Sequence, residues 1–266
     1  MATESDAVTY VVTDSIATIT LNRPDGMNSL TLEMKELLKA ALHRAEADTE
    51  ARVVVLAGSG RAFCVGQDLR EHIAGLTSEN PGPLSDTVSE HYNPIVTAIA
   101  TMPKPVIAAV NGIAAGAGAS LAFAADFRVM VTTAGYNTAF AGIALSCDTG
   151  ASWTLPRLVG RQKATELLMF PRTIEAKEAL KIGLANFVLD PKDFPIKVKL
   201  LAEELAAGPT LAYASMKRAM NYAETHDLAE SLAFEGSKMA LTGASADHLV
   251  AVKAFLAKER PVFSGS

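Results

Sequence analysis

The segment "NGIAAGAGASLAFAAD", Asn111 to Asp126, combines close-set glycines, a serine and an alanine-rich apolar run. A glycine-rich turn entering a helix can bind a dinucleotide, cradle a phosphate, present a nucleophile or aim backbone N–H groups at an oxyanion. The dinucleotide fingerprint fails at its third glycine, where Leu121 stands. It also lacks an acidic residue after the next strand, which ends in Val129, Met130 and Val131. A phosphate loop needs lysine at the helix entrance, and no lysine lies between Lys104 and Lys163. Gly118-Ala119-Ser120-Leu121-Ala122 approximates a nucleophile elbow, but Ser120 falls ten residues after Val110, inside a predicted helix. His43, His72, His91, His226 and His248 read as solvated, so no base accompanies that serine, and no grouping has metal-ligand spacing.

The oxyanion reading needs only backbone. The first turn of a helix leaves N–H groups unpaired, and glycine and alanine let a carbonyl approach. A second donor fits "CVGQDL", Cys64 to Leu69, which also follows a buried apolar run and carries a glycine. Each such donor contributes roughly 3 kcal/mol to a developing oxyanion. Packing alone is the competing explanation for "AGAGAS", its small residues letting another element come close.

These segments need rigid elements around them. Val8–Val12 and Ile16–Leu21 read as a hairpin through Asp14-Ser15. Thr31 predicts the cap of a helix running to about Asp48. "RVVVLA" and "PVIAAV" read as buried strands. Residues 71–86, with Gly75, Pro81, Gly82 and Pro83, read as an irregular mobile surface loop. Beyond Lys163 the chain is mostly helical, interrupted by the strand "ANFVLD". Alternating strands and helices followed by helices alone predict α/β layers with a helical C-terminal part.

The chain has 266 residues, 49% of them hydrophobic and 20% charged, enough to bury a sizeable core. A net charge of −5 gives no footprint for nucleic acid. No apolar stretch reaches membrane-spanning length, the first residues lack the order of a signal peptide, and Cys64 and Cys147 make no disulfide framework. Cytoplasmic localisation is the expectation.

"LNRPDGMNSLTLEM", "RVVVLAGSGRAFCVGQDL", "KPVIAAVNGIAAGAGASLAFAADFRV" and "LPRLVGRQKATELLMFPRTIEAKEALKIGLANFV" occur in this order. Together they resemble the crotonase superfamily, the enoyl-CoA hydratase/isomerase family, from about residue 8 to 223. The resemblance implies an α/β fold, a crotonase-like spiral of ββα units over residues 1–205. Residues 206–266 would form a C-terminal helical module that assembles trimers or hexamers. It implies acyl-CoA thioesters as ligands and no cofactor beyond the coenzyme A that the substrate carries. The oxyanion donors would be Gln67 and Ala117. Arg23, Met27, Ala62, Cys64, Asp68 and Leu69 would lie along coenzyme A, and Gly116, Ser120 and Phe140 beside the acyl group.

The departures are informative. The family's hydratases carry two glutamates, and the matching positions here hold Ser120 and Phe140, which cannot activate water. Asp148, in "IALSCDTGASWTLPRL", is the remaining acid. The pattern is most similar to the branch of isomerases that rearrange epoxyphenylacetyl-CoA and shift enoyl double bonds. One carboxylate suffices to move a proton along an enolate, and apolar Phe140, Leu145 and Trp153 would dry it and raise its pKa. A helix cap near Thr149 is the competing role for Asp148. The resemblance therefore points to an isomerase, with a hydratase or a non-catalytic thioester binder as alternatives. Asp126 and Asp68 read as structural carboxylates.

Overall fold

The computed structural model describes residues 7–78 and 84–266. Strands β1 (Val8–Thr13) and β2 (Ile16–Leu21) form the expected hairpin, with Thr13 opposite Ile16. Asp14 and Ser15 both take positive φ, the primed turn that matches strand twist. On β2, Ala17, Ile19 and Leu21 alternate into the core. Helix α1 (Leu32–Ala47) starts where Thr31 Oγ1 accepts the Met34 N–H at 3.2 Å. At its other end the buried Lys104 ammonium donates to the carbonyls of Ala45 and Asp48, satisfying a helix C-terminus with positive charge.

Three ββ pairs then wind in succession. They are β3 (Val53–Gly58) with β4 (Ala62–Cys64), β5 (Val106–Val110) with β6 (Ile113–Ala115), and β7 (Phe127–Val131) with β8 (Gly135–Asn137). The first strand of each pair joins one sheet and the second joins another. β3, β5 and β7 are parallel neighbours in a six-stranded sheet ordered β1-β2-β3-β5-β7-β10, closed by β10 (Phe187–Leu189). β4, β6 and β8 run parallel in a four-stranded sheet ended by the antiparallel β9 (Ile174–Glu175). This is the ββα spiral expected from the sequence. The three-residue strands are too short for a periodic signal, which is why the sequence reading passes over them.

Helices fill the turns of the spiral: α2 (Leu69–Leu76), α3 (Leu84–Thr87), α4 (Asn93–Thr101), α5 (Ala117–Ala124), α6 (Ala151–Met169) and α7 (Ala176–Lys181). The irregular loop expected over 71–86 is corrected. The Asp68 carboxylate accepts the Arg70 and Glu71 N–H groups and caps α2, so a helix precedes the glycine–proline cluster, and another follows it at Leu84. The part of that loop at 79–83 lies outside the described residues. Between α3 and α4, Val88–Tyr92 forms a π-helical turn.

The six-stranded sheet is covered on both faces, as a parallel sheet requires. Val54 and Leu56 face the main core with α1, α4 and α5. Val53 and Val55 face Leu201, Ala202 and Leu205 of α8 (Phe194–Ala206). Three more helices follow: α9 (Thr210–Ala223), α10 (Leu228–Gly243) and α11 (Ala246–Ala257). Lys217 of α9 donates to Asp126 at 2.7 Å and to the Ile99 carbonyl at 2.9 Å, locking α9 to the core and giving Asp126 its structural role. α10 has no buried residue, and Met239 and Phe255 are 73% and 82% exposed.

Candidate active site

Two glycines bring the two oxyanion segments together. Gly66 has φ of +83°, and a Cβ there would stand 2.8 Å from the Ala115 carbonyl and 3.3 Å from the Ala117 nitrogen. Gly118 lies so close to β4 that a Cβ would stand 2.1 Å from the Cys64 carbonyl. Packing therefore does account for part of "AGAGAS". The same close approach sets the loop after β4 beside the first turn of α5.

The backbone orients both N–H groups. Leu30 N–H donates to the Gly66 carbonyl and Asp68 N–H to the Leu30 carbonyl, a parallel bridge around Leu30. In such a bridge the intervening residue turns its own N–H the other way, so the Gln67 N–H faces away from Leu30. Ala117 opens α5, where N–H groups precede any intrahelical acceptor. Gly116 before it takes φ of +51° and donates its N–H to Asn137.

A cavity of about 730 Å³ opens beside Gln67. Leu69 and His72 of α2 line one side, and Thr87, Val88 and Tyr92 another. Ile143, Leu145, Cys147 and Asp148 close it from the loop before α6. Asp148 is half-buried; burial raises its carboxyl above the ordinary aspartate value, against the hydrogen bond from Thr149 and the positive charge of Lys35. Its Oδ1 accepts from Thr149 Oγ1 at 2.8 Å. It does not cap α6: Gly150 is the cap, taking φ of +74°. The cap role is therefore excluded, and the carboxylate belongs to the cavity wall.

The remaining predicted residues separate by location. Asp68 holds Arg23 Nη1 at 2.7 Å and Ser29 Oγ at 2.9 Å. Burial opposes its charge, but the hydrogen bonds from Arg23, the Glu71 N–H and Ser29 prevail and lower its pKa to about 2. Met27 takes a left-handed backbone on the same half-buried loop. Ala62 and Cys64 have no exposed surface, and the Asn28 amide already occupies the Ala62 carbonyl at 2.8 Å. Burial pushes the Cys64 thiol up to about 12, leaving an inert packed residue. Ser120 is buried and turns its hydroxyl back to the Gly116 carbonyl at 3.1 Å.

Phe140 is buried at the start of a 3-10 turn, Phe140–Ile143. Neither Ser120 nor Phe140 is among the residues lining the cavity. The expected drying role of Trp153 is also corrected: it is not among the lining residues and stacks on Arg157, 4.2 Å from its ring centre. Ile143 and Leu145 line the cavity, though both remain partly exposed.

The sequence reading missed a buried polar cluster behind Gln67. The Gln67 side-chain oxygen accepts from Tyr92 OH at 2.5 Å and Lys35 Nζ at 3.3 Å. Lys35 also donates to Thr87 Oγ1 at 2.6 Å. His91, read as solvated, is buried and pairs through Nε2 with Glu36 at 2.9 Å. The π-helical turn carries both His91 and Tyr92 inward. A signal for Lys35 was present: it occupies the apolar stripe of α1 with Met34, Leu38 and Leu42.

Among the described residues, no group of three or more His, Cys, Asp or Glu side chains could hold a metal ion. No helix among them is long and apolar enough to cross a membrane.

Comparison with known proteins places this arrangement in a family. The pattern described as enoyl-CoA hydratase/isomerase matches residues 12–266. A protein of Rhodobacter capsulatus named "Probable enoyl-CoA hydratase" is 42% identical, covering 97% of this chain and 98% of its own. The 1,2-epoxyphenylacetyl-CoA isomerase of Escherichia coli is 40% identical, covering 96% and 97%. A crystal structure from Mycobacterium abscessus under an enoyl-CoA hydratase/isomerase name superposes with a TM-score of 0.93 at 41% identity, covering 98% and 100%. With the ββα spiral and its paired glycine loops, these matches establish that the chain belongs to the enoyl-CoA hydratase/isomerase family.

Proposed function

We propose that the protein is an acyl-CoA isomerase that shifts a double bond, or rearranges an epoxide, through a thioester enolate. The observation that carries this reading is the half-buried Asp148 carboxylate in the wall of the cavity that Gln67 also lines. The Gln67 and Ala117 N–H groups bind the thioester oxygen. Asp148 removes a proton from C2 of a 3-enoyl-CoA, and the electron pair moves to the thioester oxygen as a dienolate. Asp148 then returns the proton at C4, the double bond settles between C2 and C3, and the carboxylate is regenerated. Leu145 and Ile143 supply apolar surface for the acyl chain to cover. Ser120 and Phe140, which do not line the cavity and are not acids, offer no second acid to hold a water. The 40% identity to a 1,2-epoxyphenylacetyl-CoA isomerase supports an acyl group of the phenylacetate-degradation type.

Coenzyme A, brought by the substrate, runs along Arg23, Met27, Asp68 and Leu69, and Gly116 closes the acyl end. The expected contacts of Ala62 and Cys64 are dropped, because neither has exposed surface. Residues 1–205 form the catalytic core and 206–266 the module that joins subunits into a homotrimer or homohexamer. The exposed apolar side chains of α10 and α11 support that assembly. The acidic net charge suits a cytoplasmic enzyme with no nucleic-acid partner.

Hydration is the second reading, favoured by the 42% identity to a protein named as a hydratase. Crotonyl-CoA hydration measured beside 3-enoyl-CoA isomerisation separates the two. Faster isomerisation supports the proposal, hydration with negligible isomerisation replaces it, and thioester binding without turnover makes the chain a non-catalytic binder.

A further inference from the structure

Lys35 breaks the rule of its own helix. The inner stripe of α1 is otherwise apolar, and a leucine or methionine there would pack without the cost of burying charge. Yet Lys35 is 3% exposed. Two of its three N–H groups reach Thr87 Oγ1 and Gln67 Oε1, and the Tyr92 ring lies 5.5 Å away. Tyr92 OH adds a second donor to the same Gln67 oxygen. Thr87 passes the chain to His91 Nδ1 at 3.3 Å, and His91 to Glu36. Desolvation lowers the Lys35 pKa, while Glu71 on α2, Asp148 beyond the cavity and Glu36 on α1 favour its charge. Lys35 in turn draws the Asp148 carboxyl down, against burial. His72 and Cys147 share the cavity wall with Asp148.

We infer that Lys35, assisted by Tyr92, is a positioning residue of this site. It grips the Gln67 side chain so that the Gln67 N–H stays on the thioester oxygen. The inference rests on the isomerase reading with Asp148 as base. A side chain held by two donors fixes the loop between β4 and α2; Thr87 and Tyr92 of this cluster line the cavity, and Lys35 is not among the lining residues.

The test is kcat and KM for a 3-enoyl-CoA in wild type, Lys35→Met, Lys35→Arg, Tyr92→Phe and Asp148→Asn. Lys35→Met is expected to lower kcat about 10- to 100-fold, as misplacement of an oxyanion donor does, with KM changed no more than a few-fold. Lys35→Arg keeps the donors and restores most of kcat. Tyr92→Phe removes one donor to the same Gln67 oxygen and lowers kcat less, and so carries the test with Lys35→Arg should Lys35→Met fail to fold. An unchanged kcat in a folded Lys35→Met overturns the proposal, and so does a loss confined to KM or a Lys35→Arg as impaired as Lys35→Met. If Asp148→Asn keeps full turnover, the base itself is wrong and the Lys35 proposal falls with it. An inactive Asp148→Asn beside an unchanged kcat in Lys35→Met overturns the Lys35 proposal alone.

Discussion

Two buried lysines and two aspartates are arranged differently. Lys217 touches Asp126 at 2.7 Å, and the remaining partners are backbone: the Ile99 and Lys104 carbonyls on the lysine and the Val106 N–H on the aspartate. That pair is closed in the sense that cation meets carboxylate directly, and it ties α9 to the core beside a smaller cavity of about 260 Å³. Lys35 and Asp148 form no such ion pair: the lysine is held by Thr87 and Gln67, and the aspartate by Thr149. Asp148 faces a cavity instead of its cation. A carboxylate bound directly to a buried ammonium is committed to that contact. One with an internal anchor and an open face can also react.

The largest expected effect falls on the open carboxylate. Asp148→Asn is expected to reduce 3-enoyl-CoA isomerisation by about 10²- to 10⁴-fold, the range of a lost general base. Thioester affinity, measured by calorimetry with a non-reactive acyl-CoA, stays within a few-fold.

Breaking the closed pair should act on stability alone. Asp126→Ala strands a buried ammonium and is expected to cost about 3 kcal/mol in denaturant unfolding. Activity per folded molecule remains near wild type. A variant that instead unfolds normally but loses turnover would erase the distinction between the two aspartates.

Gly118→Ala sharpens the comparison from the backbone side. Its Cβ would meet the Cys64 carbonyl, so β4 and α5 must separate, at about 1–3 kcal/mol. Turnover is expected to fall beyond what the lost stability explains, because Gln67 and Ala117 move apart with them.

The smallest effect concerns pH and stability. The folded-state pKa of Asp148 is raised by burial. Its contribution to stability is therefore full below the ordinary carboxylate pKa and lost as pH rises through the folded value. At neutral pH the ionised group costs stability, so Asp148→Asn should raise the unfolding temperature slightly there and lose that advantage in acid.

The sequence carried the long elements because their periods are sustained: the first hairpin, α1 and the C-terminal helices. It also carried the two glycine segments, because close backbone approach demands residues such as Gly66 and Gly118. It did not carry α2, whose Asp68 cap was overshadowed by the glycine and proline residues downstream. Nor did it carry β4, β6 and β8, which exist only through pairing with one another. Gln67 and Asp148 were singled out by the family resemblance of their segments and fall in one cavity wall. Lys35, Tyr92 and His91 escaped because their roles depend on contacts across 25 or more positions, such as Tyr92 to Gln67 and His91 to Glu36. A lysine in an apolar stripe was the one local hint.

The central claim is that one carboxylate carries one proton along the acyl chain. The direct measurement is turnover of a 3-enoyl-CoA deuterated at C2, with the product position of the label read by mass spectrometry. The account predicts deuterium at C4 of the 2-enoyl product with wild type. Full turnover with no deuterium at C4, or water added at C3, would contradict it.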